Sequence, residues 1–157
     1  MKIKIICIGK TEFSYLREGC KLYFEKLTHY CPIEYIEIPE NKKNKSLQIK
    51  EQKIREGKVI LNALDASDKL ILLDKKGKSY TSLAFSQFLQ KQINTSLKRI
   101  VFVIGGAYGF SEEIYDKADA MISLSPMTFS HQMVRLIFLE QLYRGFSILK
   151  NEPYHHI

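Results

Sequence analysis

Cysteine is scarce in this chain: three in 157 residues, Cys7, Cys20 and Cys31. None forms a C-x-x-C pair and the number is odd, which argues against both a zinc site and a disulfide framework. Reduced thiols are the simplest reading, with Cys7 buried in its apolar run. Long apolar runs are lacking as well. No stretch reaches the ~20 residues of a membrane span, and the apolar start at residues 3–8 is interrupted by Lys4 and too short for a secretory h-region. A cytoplasmic location is therefore expected. The first strand-like run ends in Gly9-Lys10-Thr11-Glu12, where a dinucleotide fold would carry G-x-G-x-x-G, and no Walker sequence occurs anywhere. NAD-linked hydride transfer and ATP hydrolysis are thereby disfavoured. The same segment has neither the phosphate loop nor the acidic cluster that a flavodoxin-like or receiver module would place there.

Acids are also in deficit. Seventeen Asp and Glu face 24 Lys and Arg, for a net charge of +7. The excess favours an anionic partner such as nucleic acid, although many basic proteins bind none. Hydrophobic residues make up 45% and charged residues 26%, ordinary for a globular chain. The length suits one domain, residues 1–157, and no repeat, linker or low-complexity segment divides it.

Strand-like and helix-like runs alternate. Residues 2–8 and 69–74 read as short apolar strands, 33–38 as a half-buried one, and 99–104 as the most apolar of all; 120–124 is a fifth. Helical periodicity marks residues 13–30, 47–64 and 79–93, with a short helix capped by Ser111 through Ala118 and a long one over 130–150. The order predicts an α/β fold, a mostly parallel sheet of five or six strands with helices on both faces. The last helix is apolar around too much of its circumference for a single stripe, so it is either central to the monomer or shared with a second subunit. Residues 41–45 form a basic loop, either a solvated connector or a phosphate contact.

Glycines cluster after the fourth strand: Gly105, Gly106 and Gly109 within five residues. Such a loop at the carboxyl end of a central strand is either a tight strand-to-helix turn or a site where the backbone approaches a ligand closely, and three glycines favour the latter. A second loop follows the fifth strand, with Leu124, Ser125, Pro126, Met127, Thr128, Phe129, Ser130 and His131. Ser125, Thr128 and main-chain groups can hydrogen-bond a ligand, while Met127 and Phe129 either wall an adenine or pack in the core. The tail, Pro153-Tyr154-His155-His156-Ile157, can stack on a base or move a proton, or is a frayed end.

Three segments together resemble the RlmH family, the large-subunit ribosomal RNA pseudouridine N3-methyltransferases of the SPOUT superfamily. They are Val103-Ile104-Gly105-Gly106-Ala107-Tyr108-Gly109; Ser125-Pro126-Met127-Thr128-Phe129-Ser130-His131-Gln132-Met133-Val134-Arg135; and Glu140-Gln141-Leu142-Tyr143-Arg144 running on to Asn151-Glu152-Pro153-Tyr154-His155. Lys2 through Lys10 and Ile36-Glu37-Ile38-Pro39 are similar too, so the likeness spans the chain. It implies a C-terminal trefoil knot, a homodimer and S-adenosyl-L-methionine as cofactor, with no metal. Leu73, Gly105, Gly106, Leu124, Ser125, Pro126, Met127, Thr128 and Phe129 would hold the cofactor. Tyr154 and His155 would be catalytic, reaching the target base across the dimer interface. Arg135 and Arg144 would contact phosphate or form interface ion pairs, and His131 is a weaker catalytic candidate. His156 would join the substrate contacts, but the family commonly has arginine or lysine there, so a permanent cation is replaced by a titratable group. The competing reading is a non-catalytic ribosome-binding factor that retains the knotted fold.

Overall fold

In the computed structural model, residues 1–156 are described, apart from the side chains of Asn44 and Lys45. Of the basic loop at 41–45, those two side chains therefore lie outside the described residues, as does Ile157 of the tail. The chain runs β1 (Lys2–Ile8), α1 (Ser14–Leu27), β2 (Ile33–Ile38), a short 3-10 turn (Lys42–Ser46), α2 (Ile49–Asn62), β3 (Lys69–Ser79), α3 (Ser82–Ile93), β4 (Arg99–Ile104), α4 (Glu112–Lys117), β5 (Ala120–Ser123) and α5 (Met133–Leu149). The sheet has five strands in the order β2-β1-β4-β3-β5, all paired in parallel.

Strand position follows from side-chain character. β4 is Arg-Ile-Val-Phe-Val-Ile, and every residue after Arg99 is buried, so it needs cover on both faces. It sits in the middle of the sheet. β2 alternates Ile and Glu or Tyr, keeps all six residues half-buried, and takes an edge. Its Glu34 pairs across the strand with Lys2 at 2.9 Å.

The pleat sends alternate residues into two cores. One face gathers Ile3, Ile5, Ile71, Phe102 and Ile104 against Phe85, Phe138, Leu139 and Leu142 of α3 and α5, with Leu27 of α1. The other gathers Ile6, Ile8, Leu72, Val101 and Val103 against Ile60 of α2 and Ile114 of α4. The Phe102 and Phe138 rings meet at 4.9 Å, tilted by 55°, an arrangement worth roughly 0.5–1.5 kcal/mol beyond area burial. α5 lies between α1 and α3, which accounts for its wide apolar surface within one subunit. Even so, Ile137, Val134 and Ile148 remain half-exposed on it.

Several boundaries move from the sequence reading. β3 was expected to end at Asp74; it continues to Ser79 because the chain bulges and then pairs with β5 again. α5 begins at Met133 rather than 130, since the Ser130 hydroxyl accepts from the Met133 N–H and closes the preceding turn. Ser111 stands at the N-cap of α4, yet its hydroxyl makes no capping bond. It is buried without a partner, pressed against Gly57 of α2.

Candidate functional site

Three strands of the sheet deliver their carboxyl ends to one place. β3 brings Leu73, β4 brings Ile104 and Gly105, and β5 brings Ser123 and Leu124, all lining a cavity of about 680 Å³. That volume lies in the usual range for small-molecule sites, roughly 300–1,000 Å³. Position at the carboxyl ends of parallel strands is where α/β sheets bind ligands.

Local sequence shapes the walls. Gly109 closes the glycine loop at φ +81, a conformation open to glycine at little cost, and its N–H donates to the Gly106 carbonyl at 3.3 Å. After β5 the Ser123 hydroxyl donates to the Ser125 carbonyl at 3.0 Å. The Ser125 hydroxyl in turn accepts from the Met127 N–H at 2.9 Å. The loop is thus folded on itself. It then crosses back over the sheet: the Gln132 amide donates to the Lys10 carbonyl at 2.9 Å and its oxygen accepts from the Glu12 N–H at 2.8 Å.

The structure gathers Leu73, Gly105, Gly106, Leu124, Ser125, Met127, Thr128 and Phe129 around this cavity, whereas Pro126 does not line it. Met127 is 76% exposed and Phe129 37%, so both stand at the mouth instead of packing in the core. His131 lines the same cavity. Sequence reasoning missed several neighbours, among them Lys53, Asp74, Lys75, Lys76 and Tyr115. Asp74 accepts a 2.6 Å hydrogen bond from the Tyr115 hydroxyl, and Lys75 and Lys76 follow it on the rim. Burial first, then the bond to Asp74, pushes the Tyr115 hydroxyl up to about 12. The signal available was an acid directly after an apolar strand end.

Arg135 requires a correction. It was expected at phosphate or at a subunit interface, yet its side chain is fully buried. Its guanidinium donates to the carbonyls of Ile8 (2.8 Å), Gly9 (2.9 Å) and His131 (3.0 Å) and to the Thr11 hydroxyl (2.9 Å). Glu37 lies 3.6 Å away as counter-charge. Each guanidinium nitrogen has an acceptor inside the protein and the side chain is fully buried, so within the subunit it offers no surface contact.

The tail folds back. Asn151 takes the left-handed conformation (φ 54) that terminates helices, and the Glu152 carboxylate accepts from the Tyr30 hydroxyl. The Tyr154 ring packs edge-on to Tyr143 at 4.7 Å, and its hydroxyl meets Tyr23 and Glu140, each at 3.1 Å. The Arg144 guanidinium sits 4.7 Å from the Tyr154 ring and bonds Glu140 at 2.5 Å, so within the subunit it orders the tail. Burial above all, then the bonds to Tyr23 and Glu140, pushes the Tyr154 hydroxyl well above its ordinary value. His155 is half-buried with Nδ1 unpartnered, and His156 is exposed. None of the three lines the cavity. Val134 at the start of α5 does, while Tyr154 packs against Tyr143, nine residues further along the helix. At 1.5 Å per residue that is a span of about 14 Å.

The profile of the family described as "Predicted SPOUT methyltransferase" matches residues 1–155. The chain belongs to the SPOUT methyltransferase family. Among curated relatives it is similar to "Ribosomal RNA large subunit methyltransferase H" of Christiangramia forsetii, 56% identical over 156 residues and covering 99% of both chains. The proteins of that name from Flavobacterium johnsoniae and Bacteroides thetaiotaomicron are 54% and 45% identical, again over 99% of both chains. The five-stranded parallel α/β sheet is consistent with that family. Among the described residues no helix is long and apolar enough to cross a membrane, and no group of His, Cys, Asp and Glu gathers as a metal cluster.

Proposed function

We propose that this chain methylates large-subunit ribosomal RNA at N3 of a pseudouridine, with S-adenosyl-L-methionine as donor. The observation that carries the reading is the convergence of the β3, β4 and β5 ends on one cavity in a chain of this family. The name carried by the relatives supplies the class of RNA. The donor fits the residues present. Gly105 and Gly106 line the cavity with no side chain of their own, Leu124 and Ser125 stand beside them, and Met127, Thr128 and Phe129 add apolar and polar wall. The path of residues 124–132 across the strand ends is compatible with the threading of a trefoil knot.

When bound, the donor supplies a methyl group on a sulfonium for in-line displacement. The chain's own residues must align the acceptor nitrogen with it, exclude water and take up the N3 proton. Tyr154 and His155 are the residues proposed for the base end. Since Tyr154 is held neutral by burial, it suits positioning, and His155 suits proton removal. The tail packs on Tyr143, about 14 Å along α5 from the cavity residue Val134, which favours a homodimer in which Tyr154 of the partner subunit serves each cavity. The half-exposed Val134, Ile137 and Ile148 of α5, with exposed Phe13 and Tyr15 at the start of α1, offer apolar surface for that dimer. His156, exposed at the end of the described tail, is kept as a substrate contact. A cytoplasmic enzyme is the corresponding location.

The test is mass spectrometry of ribosomal RNA from a strain lacking the gene, with and without complementation. Loss of one methyl from a single pseudouridine, restored by the gene, is expected; unchanged RNA refutes the reading. Light scattering should report a dimer at micromolar concentration.

A further inference from the structure

β3 departs from regular pairing at one point. Leu73 and Lys78 both lie opposite Ile122 of β5, so residues 74–77 loop out between them. The bulge is pinned at both ends. Asp74 holds the Tyr115 hydroxyl with one oxygen and the Lys76 N–H, at 2.8 Å, with the other. Gly77 is pressed so closely on β5 that a Cβ there would come within 2.5 Å of the Ile122 nitrogen. The Lys76 ammonium rests 5.3 Å from the centre of the Tyr115 ring.

This fixed bulge brings Lys75 and Lys76, both exposed, to the cavity that Lys53 of α2 also lines. Asp74 is the only acid among the lining residues. No ion pair among the described residues engages any of the three lysines. S-adenosylmethionine carries sulfonium and ammonium charges against one carboxylate. A basic rim repels such a ligand overall, so the rim answers to a second, anionic one. Pre-positioned cations at fixed spacing suit a phosphate backbone, which needs charge and register but no base contact.

Resting on the reading of an RNA methyltransferase, we propose that Lys75 and Lys76 on the β3 bulge bind phosphates of the RNA strand that carries the target base into the cavity. They position substrate and take no part in methyl transfer.

The test is the double variant Lys75→Gln/Lys76→Gln, with Lys91→Gln on α3, exposed and away from the cavity, as control. Initial rates on ribosomes are measured across a salt series, and donor affinity by calorimetry. For two phosphate contacts the slope of log(kcat/KM) against log salt should become shallower by about 1–2, with KM raised on the order of tenfold and kcat held. Donor affinity and Lys91→Gln should match wild type. An unchanged slope overturns the proposal. So does weakened donor binding with unchanged ribosome KM, which would assign the lysines to the donor carboxylate, and so does an equal loss in Lys91→Gln. Wild-type protein that transfers no methyl to ribosomal RNA overturns the underlying reading instead.

Discussion

Arg135 donates from Nη1 to the main-chain carbonyl of Gly9 at 2.9 Å, tying the first turn of α5 to the end of β1. The same guanidinium holds the Ile8 carbonyl and the Thr11 hydroxyl, and Thr11 in turn donates to Glu37 of β2. This one side chain therefore fastens the loop from β5 to α5 against the opposite half of the sheet. Arg135→Met should destabilise the fold by about 3–5 kcal/mol, because it removes the counter-charge of Glu37 and takes a donor from each of the Ile8, Gly9 and His131 carbonyls. Lysine should not restore it, lacking the planar fork that serves several acceptors at once. Urea unfolding checks both variants.

Gly105 and Gly106 differ in what a side chain would meet. At Gly105 a Cβ stands 3.0 Å from the ring of Phe110, itself 3% exposed. Gly105→Val should then lose donor binding and also about 1–3 kcal/mol of stability through overpacking. At Gly106 the neighbour is the end of the Glu56 carboxylate at 3.1 Å, which can swing away. Gly106→Ala should keep wild-type stability, so any loss of donor affinity there reports close backbone approach. Calorimetry alongside thermal unfolding separates the two effects.

Much of the sheet was legible in advance. The bounds of β1, β2 and β4 agree with the reading because Gly9, Pro32 and Pro39 interrupt sharply apolar or alternating runs. The eight cavity residues were reachable through the glycine cluster and the resemblance together. Other features are tertiary and leave no local trace. An arginine in a helix reads as surface, and only the fold brings Ile8, Gly9 and Thr11 to Arg135. Lys75-Lys76-Gly77-Lys78 reads as a turn after a strand, since renewed pairing with β5 uses backbone hydrogen bonds. The tail's composition predicts fraying, but Tyr23, Tyr143 and Glu140 are supplied by helices remote from it in sequence or one turn outside any local window.

Asp68 gives the fold a pH dependence with a definite sign. Burial alone would raise its pKa, but hydrogen bonds from Arg99 and from the Asp65 N–H, with the Arg99 charge, hold it below the ordinary value. A lowered folded-state pKa stabilises above the unfolded carboxylate range, near ~3.9, and that stability is lost as pH falls through the folded value. Asp68→Asn should be less stable than wild type at pH 7 by roughly 1–3 kcal/mol. The gap should narrow as pH falls below the unfolded carboxylate range. Denaturant midpoints against pH show whether the curves converge; parallel curves would contradict the assignment.

Deleting Tyr154 to Ile157 removes the packed Tyr154 side chain, and none of Tyr154, His155 and His156 lines the cavity of its own subunit. Tyr154 gives up its contact with Tyr143, the Arg144 stack and bonds to Tyr23 and Glu140, so a loss on the order of 1–2 kcal/mol is expected. Donor binding should survive, because the β4 and β5 loops remain. Methyl transfer on ribosomes should collapse, because positioning and proton removal go together. Point variants divide the two roles. His155→Ala should lower kcat by about 10²–10⁴ and remove one limb of the pH–rate profile, as loss of a general base does. Tyr154→Phe keeps the ring on Tyr143 and loses only the hydroxyl, so kcat should fall less and the pH profile should keep its shape. His156→Arg restores a permanent cation at an exposed tail position; if it meets phosphate, activity persists and the salt dependence steepens. Mixing the truncated chain with a chain carrying Gly105→Val then tests sharing between subunits. In a shared site, the mixed dimer keeps one intact cavity served by one intact tail, and activity reappears although neither parent has any. Absence of recovery after verified subunit exchange would return the tail to a role within its own subunit.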